Sequence, residues 1–185
     1  RKSNGNHWEK IAEAYISQEK SVVSASEAVA GARDIIAESI SDNADYRSWI
    51  RKITMNKGKV ISTAKDPEAE SVYEMYYDYH EKVKTLVSHR ILAINRAEKE
   101  KVITVSIEGD KDYYLQYIVR GVTKNKETAM LPYIQKAVED SYQRLLFPSI
   151  EREIRKELTE KANEQALKVF LGQLRKSFIT STFKK

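Results

Sequence analysis

Three histidines, an adjacent Ser88-His89 pair and numerous carboxylates are the side chains that could carry chemistry in this chain. His80-Glu81 begins like the His-Glu-x-x-His pattern of zinc peptidases, but position 84 is lysine, so the second ligand is missing. The interval from His80 to His89 matches no recognised metal-ligand spacing, and no metal site is expected. Ser88 and His89 cannot easily act as nucleophile and base for each other, because neighbouring side chains on a helix diverge by about 100°. There is no Gly-x-Ser-x-Gly elbow and no glycine-rich phosphate loop of either common type. No catalytic residue and no cofactor are therefore assigned, and the chain is not read as an enzyme.

Basic residues are the remaining candidates. If Ser88–Glu100 is one helix, His89, Arg96 and Lys99 fall on nearly one face, since seven residues make almost two turns. Val87, Ile91 and Ile94 take the other side. Such a stripe can contact phosphates. The plainer reading pairs Arg96 and Lys99 with Glu98, Glu100 or neighbouring segments as an ordinary polar face. Ser88 is expected to be the helix N-cap.

These residues need a frame. Lys101–Glu108 alternates Val102/Thr104/Ser106 against Ile103/Val105/Ile107, the strongest strand pattern present. Lys59–Thr63, behind the Asn56-Lys57-Gly58 turn, is its natural partner, which gives a small two-stranded element. Everything else reads as helix. Residues 8–20 place Trp8, Ile11, Ala12 and Tyr15 at helical spacing. Ser24 and Glu27 have capping-box spacing ahead of an apolar face of Ala28, Ala32, Ile35, Ile36 and Ile40. Gly31 inside that helix suggests a close helix–helix approach. Asp42 or Asp45 can cap the next helix, which carries Trp49, Ile50 and Ile53. Residues 68–79 place Tyr73, Tyr76 and Tyr77 on one helical face, the edge of a core with each phenol reaching a polar partner. Two further helices follow at 112–120 and 127–147. Pro148 ends the second, and Ser149 caps a last helix over about 150–178 whose stripe runs from Ile150 to Phe178.

Composition bounds the function. The 185 residues can bury a real core, with 41% apolar and 32% charged side chains. Six glycines and three prolines favour long helices. The absence of cysteine removes disulfides and thiolate chemistry and fits a cytoplasmic protein. No apolar run of about 18 residues predicts a membrane span. A start without Met reads as an excised fragment or a trimmed tag. The net charge of +5 is uneven: residues 148–185 hold nine basic and five acidic side chains, compatible with nucleic-acid contact.

Three blocks carry a family resemblance. "SASEAVAGARDIIAESISD", "SHRILAINRAEKEKVITVSIE" and "AVEDSYQRLLFPSIEREIRKELTEKANEQALKVFLGQLRKSF" occur in this order over about residues 24–178. Together they resemble the N-terminal region of bacterial Tex, the transcription accessory protein family. The resemblance implies a cytoplasmic, mainly α, multihelical elongated scaffold with a helix-turn-helix-like unit. In the family this region precedes an RNase-H-like domain, helix-hairpin-helix elements and an OB-fold RNA-binding domain, so nucleic acid would be held mainly by domains outside this stretch. It also implies contacts with transcription machinery and likeness to the core of a eukaryotic elongation factor that handles histones. The expected organisation is a discontinuous helical region over 8–109 and 148–180, a helix-turn-helix-like lobe over 110–147, and frayed ends at 1–7 and 181–185. The last helix is expected to pack on the 24–53 helices. The alternative function is a protein-protein or interdomain docking scaffold with no nucleic-acid affinity of its own.

Overall fold

The computed structural model describes residues 25–128 and 130–182. The expected 8–20 helix, the Ser24 half of the capping box and the residues 1–7 lie outside that range. The architecture is mainly α with one small sheet. In chain order the helices are α1 (Ala25–Ser41), α2 (Ala44–Lys57), α3 (Ser88–Lys99), α4 (Lys111–Thr123), α5 (Leu131–Ser141) and α6 (Phe147–Thr182). The strands are β1 (Lys59–Ala64), β2 (Asp78–Lys82) and β3 (Ile103–Glu108). No helix among the described residues is long and apolar enough to cross a membrane.

The described residues divide into two units, 25–47 with 111–148 and 48–110 with 149–182. Residues 25–47 group with 111–148.

The first unit is helical. Helix α1 packs on α5 and on the turn that follows it, and α5 packs on α4. The buried side of α1 is Ala37, Ile40 and Ser41, while Ile35 and Ile36 are exposed, so the apolar face is rotated from the expected one. The buried Ser141 hydroxyl ties α5 to this side of α1, with Oγ donating to the Ala37 carbonyl at 2.6 Å. Gly31 serves no close helix–helix approach, because a Cβ there would meet nothing within 4 Å. Asn43, rather than Asp42 or Asp45, caps α2, with Oδ1 accepting from Asp45 N at 3.0 Å and Tyr46 N at 3.1 Å. The close approach in this unit is at Gly121, where a Cβ would lie 2.9 Å from Tyr46 Cε1. Buried Tyr114, Tyr142 and the half-buried Phe147 form a ring cluster, with Tyr142 and Phe147 stacked at 5.1 Å.

Pro148 does not end a helix. Residues Tyr142–Leu146 form a π-turn, in which Phe147 N donates to Tyr142 O, and α6 continues directly from it. Pro148 has no N–H to place in an α-helical ladder; the wider π register accommodates it, and Ser149 lies inside α6 rather than capping it.

The second unit contains the sheet, which has three antiparallel strands in the order β2-β1-β3 instead of two. The register pairs Ile61 with His80 and with Ser106, and Thr63 with Asp78 and with Thr104. The tyrosine-rich stretch is not a helix over 68–79. It makes one 3-10 turn at Glu74–Tyr76 and then enters β2. Long-range pairing overrides local periodicity there: Ala64 N donates to Tyr77 O at 2.8 Å and Ser62 Oγ to Tyr76 O at 2.7 Å. Tyr76, Ile94, Ala97 and Ile103 form a buried cluster, with Tyr73, Tyr77, Tyr79 and Val102 packed against it. The phenols reach polar partners, Tyr73 to Glu100 at 3.0 Å and Tyr77 to Ser71 at 2.9 Å.

Helix α6 buries Ile150, Ile154, Leu158 and Ala162. It also finishes the β3 edge, where Glu151 accepts from Ile107 N at 2.8 Å. It packs against the part of α2 in this unit through Arg51, which pairs with Glu157. Gly58, between α2 and β1, is required by proximity: a Cβ would lie 2.5 Å from the Thr54 carbonyl oxygen and 3.1 Å from that of Glu108. Beyond Ala162 the stripe continues but is uncovered within this unit, with Leu167, Phe170 and Leu171 all more than half exposed.

Candidate nucleic-acid interface

Helix α3 begins at Ser88, but Ser88 is not its cap. Val87 occupies the N-cap position with extended backbone and no side-chain bond, and Ser88 is the first helical residue, half-buried. His89 is exposed beside it. Ile91, Ile94 and Ala97 form the buried side of the helix. Arg96 and Lys99 are exposed. The three predicted contact residues therefore share the solvent side of one short helix, while Val87, expected on the apolar side, is 42% exposed.

The carboxylates near the end of α3 are committed elsewhere. Glu98 is gripped by both guanidinium nitrogens of Arg155 on α6. Glu100 accepts from Tyr73. Among the described residues, neither Arg96 nor Lys99 is in an ion pair. Arg96 lies close enough to Tyr73 for its charge to oppose the rise of that phenol's pKa, which burial and then Glu100 produce.

The frame beneath this stripe is held by a polar network that sequence reasoning missed. Tyr79 and Glu81 point to the inner side of edge strand β2, and Arg90 of α3 meets Glu81 at 2.7 Å. Burial and then the bond to Glu81 push the Tyr79 phenol up to about 12. Burial works to raise the Glu81 carboxyl, but hydrogen bonds from Tyr79, Arg90 and Thr85 outweigh it and hold the group below the ordinary value. This network ties the N-terminal half of α3 to β2. Asn95 Nδ2 ties its middle to α6, donating to Thr159 at 2.9 Å. No local signal marks Glu81 as an inward carboxylate; only the strand register reveals it.

The end of α3 is a Schellman motif. Lys101 N donates to Glu98 O at 2.9 Å and Val102 N to Ala97 O at 3.0 Å. Lys101 takes the left-handed position with φ 62°, where glycine is usual.

Among the described residues no group of three or more His, Cys, Asp or Glu is placed to hold a metal ion. The geometry can offer cations on a rigid helix. It does not bring Ser88 and His89 together with a third group.

A family model described as Tex central region-like matches residues 4–170. This chain belongs to the Tex family. Its relatives extend well beyond it. Protein YdcI of Bacillus subtilis (strain 168) is 45% identical over 182 residues, covering 97% of this chain and 25% of that protein. Protein tex of Bordetella pertussis is 28% identical over 181 residues, covering 89% of this chain and 23% of that protein. S1 RNA-binding domain-containing protein 1 of Homo sapiens is 26% identical over 165 residues, covering 82% of this chain and 17% of that protein. The chain thus spans about a quarter or less of the length of these relatives.

Proposed function

We propose that this chain is a non-catalytic helical module of a cytoplasmic transcription accessory protein, and that it supports nucleic-acid binding and contacts with transcription machinery. The observation that carries the reading is the exposed stripe of His89, Arg96 and Lys99 on α3, with its neighbouring carboxylates engaged by Arg155 and Tyr73. The name of one relative, S1 RNA-binding domain-containing protein 1, points in the same direction. Helices α4 and α5 form the helix-turn-helix-like pair in this reading. Phosphate contact by such a stripe gives binding that falls steeply as salt rises. The test is titration of the chain into labelled RNA and DNA at low salt, repeated with Arg96→Ala/Lys99→Ala. Loss of affinity with intact folding supports the stripe; unchanged affinity removes it.

A second reading is favoured by one observation. Leu167, Phe170, Leu171 and Leu174 leave an apolar stripe uncovered within their unit. That feature suits a docking module without nucleic-acid affinity of its own. No detectable binding by this chain at low salt would favour it.

A further inference from the structure

Lys101 is the residue that the stripe alone does not explain. Position C′ of a Schellman motif needs a positive φ, which glycine adopts without strain and a lysine adopts at a cost. The rest of the motif is well made. Both of its backbone bonds are formed, and Val102, the residue after Lys101, packs against the cluster that contains Ala97. The strained residue is therefore held in place by its surroundings on both sides.

Three further cations stand near it in sequence or across the sheet. Lys99 and Arg96 precede it on the exposed side of α3. Lys65, the residue after β1, is brought beside Val102, because Lys65 N donates to Val102 O at 3.0 Å and so extends the β1–β3 ladder by one rung. Lys65 and Lys101 are both exposed. Among the described residues none of the four cations is in an ion pair. Of the acids at the same corner, Glu98 is paired with Arg155, while Glu100 and Asp66 keep their charge and accept from the Tyr73 hydroxyl and from the backbone N–H of Glu68 at 3.1 Å. Lysine in the last turn also complements the negative end of the helix dipole, a purely local role. That role would be filled by Lys99 alone. It gives no reason to place a further cation in a strained conformation.

We propose that Lys101, with Lys65, extends the Arg96–Lys99 stripe into a four-cation corner that grips the phosphate backbone of a nucleic acid, and that the left-handed lysine trades folding stability for that contact. This rests on the nucleic-acid reading above and names residues which that reading does not include. The corner reads charge and not sequence, since nothing in it is shaped to meet base edges.

The test is Lys101→Gly in the 185-residue chain, beside Arg96→Ala/Lys99→Ala. Stability is followed by thermal melting, and affinity by titration into a fluorescein-labelled single-stranded RNA at several salt concentrations. Glycine relieves the strain, so the variant folds and its Tm rises by about 2 °C. Its affinity falls about threefold at moderate salt, and the slope of log K against log salt shrinks by about 0.7, the loss of one phosphate contact on a single strand. A raised Tm with unchanged affinity and slope overturns the proposal. So does a lowered Tm, which would show that Lys101 stabilises the fold. Equal competition by a polyglutamate peptide also overturns the assignment, because the corner would then accept any acidic polymer. If the unaltered chain binds no RNA at low salt, the broader nucleic-acid reading has failed. If it binds, and Arg96→Ala/Lys99→Ala weakens it while Lys101→Gly does not, only the extension has failed.

Discussion

Among the described residues, two helices end on a lysine in the left-handed conformation, one in each unit, and their settings differ. Helix α3 ends at Lys101, φ 62°, with a complete Schellman motif and strand β3 beginning two residues later. Helix α4 ends at Lys124 and Asn125, φ 52° and 58°, and runs into a loop that reaches α5 only at Leu131. Asn125 N donates to Arg120 O at 3.2 Å and Lys126 N to Thr123 O at 3.0 Å. Asparagine tolerates this conformation readily, so part of the α4 turn has a local explanation. The α3 turn is pinned by a buried cluster and a sheet. The backbone that carries the cations at the first site is fixed; the second site is a loop. A pinned backbone leaves only side-chain rotamers to be ordered on binding, which favours the proposed phosphate contact at the α3 end.

Changes to the buried frame should break this contrast most strongly. Ile103→Ala empties a fully buried position beside Tyr76, Ile94 and Ala97. It should cost about 2–5 kcal/mol in urea denaturation, whereas Thr128→Ala, which removes an acceptor for Met130 N in the α4–α5 loop, should cost less than about 1 kcal/mol. Equal costs would mean that the two turns are not held differently.

Gly121→Ala probes the helical unit at its tightest point. The new methyl meets the Tyr46 ring, and the expected loss is about 1–3 kcal/mol. Replacing Tyr46 by Leu in the same chain should recover part of it, and no recovery would place the strain elsewhere. Ser62→Ala in the sheet unit removes the hydroxyl that satisfies Tyr76 O, at a cost of about 1–2 kcal/mol.

The smallest effect is a pH dependence. The Glu81 carboxyl is held below its ordinary value of 4.5 in the folded chain. Its contribution is therefore present above about pH 4.5 and lost as pH falls through the lower folded value. Glu81→Gln should flatten the stability profile in that acid window and leave its shape near pH 7 unaltered. A profile with the same acid slope as the parent would show that Glu81 is not a determinant.

Much of the helical framework was legible because its periodicity is local. The buried Ile91, Ile94 and Ala97 of α3, and Ile150, Ile154, Leu158 and Ala162 of α6, follow helical spacing. Strand β3 was legible for the same reason, since its alternation lies within six residues. Strand β2 was not. Asp78–Lys82 carries three charged residues and a histidine, and it becomes a strand only by pairing with β1. The rotated face of α1 depends on which side meets Ser141, a contact 104 residues away in sequence. In the candidate site, His89, Arg96 and Lys99 could be placed on one face by counting. Lys65 and the strained Lys101 could not, because a strand pairing and a backbone angle bring them there.

The central claim is that charge at the end of α3, and not basic residues in general, contacts nucleic acid. The most direct measurement is the salt dependence of RNA affinity for the chain, for Arg96→Ala/Lys99→Ala and for Lys124→Ala/Lys126→Ala. We expect the first pair to lower affinity about tenfold and to shrink the log–log slope by about 1.4, with the second pair near the parent. Equal losses from both pairs, or a loss confined to Lys124 and Lys126, would contradict it.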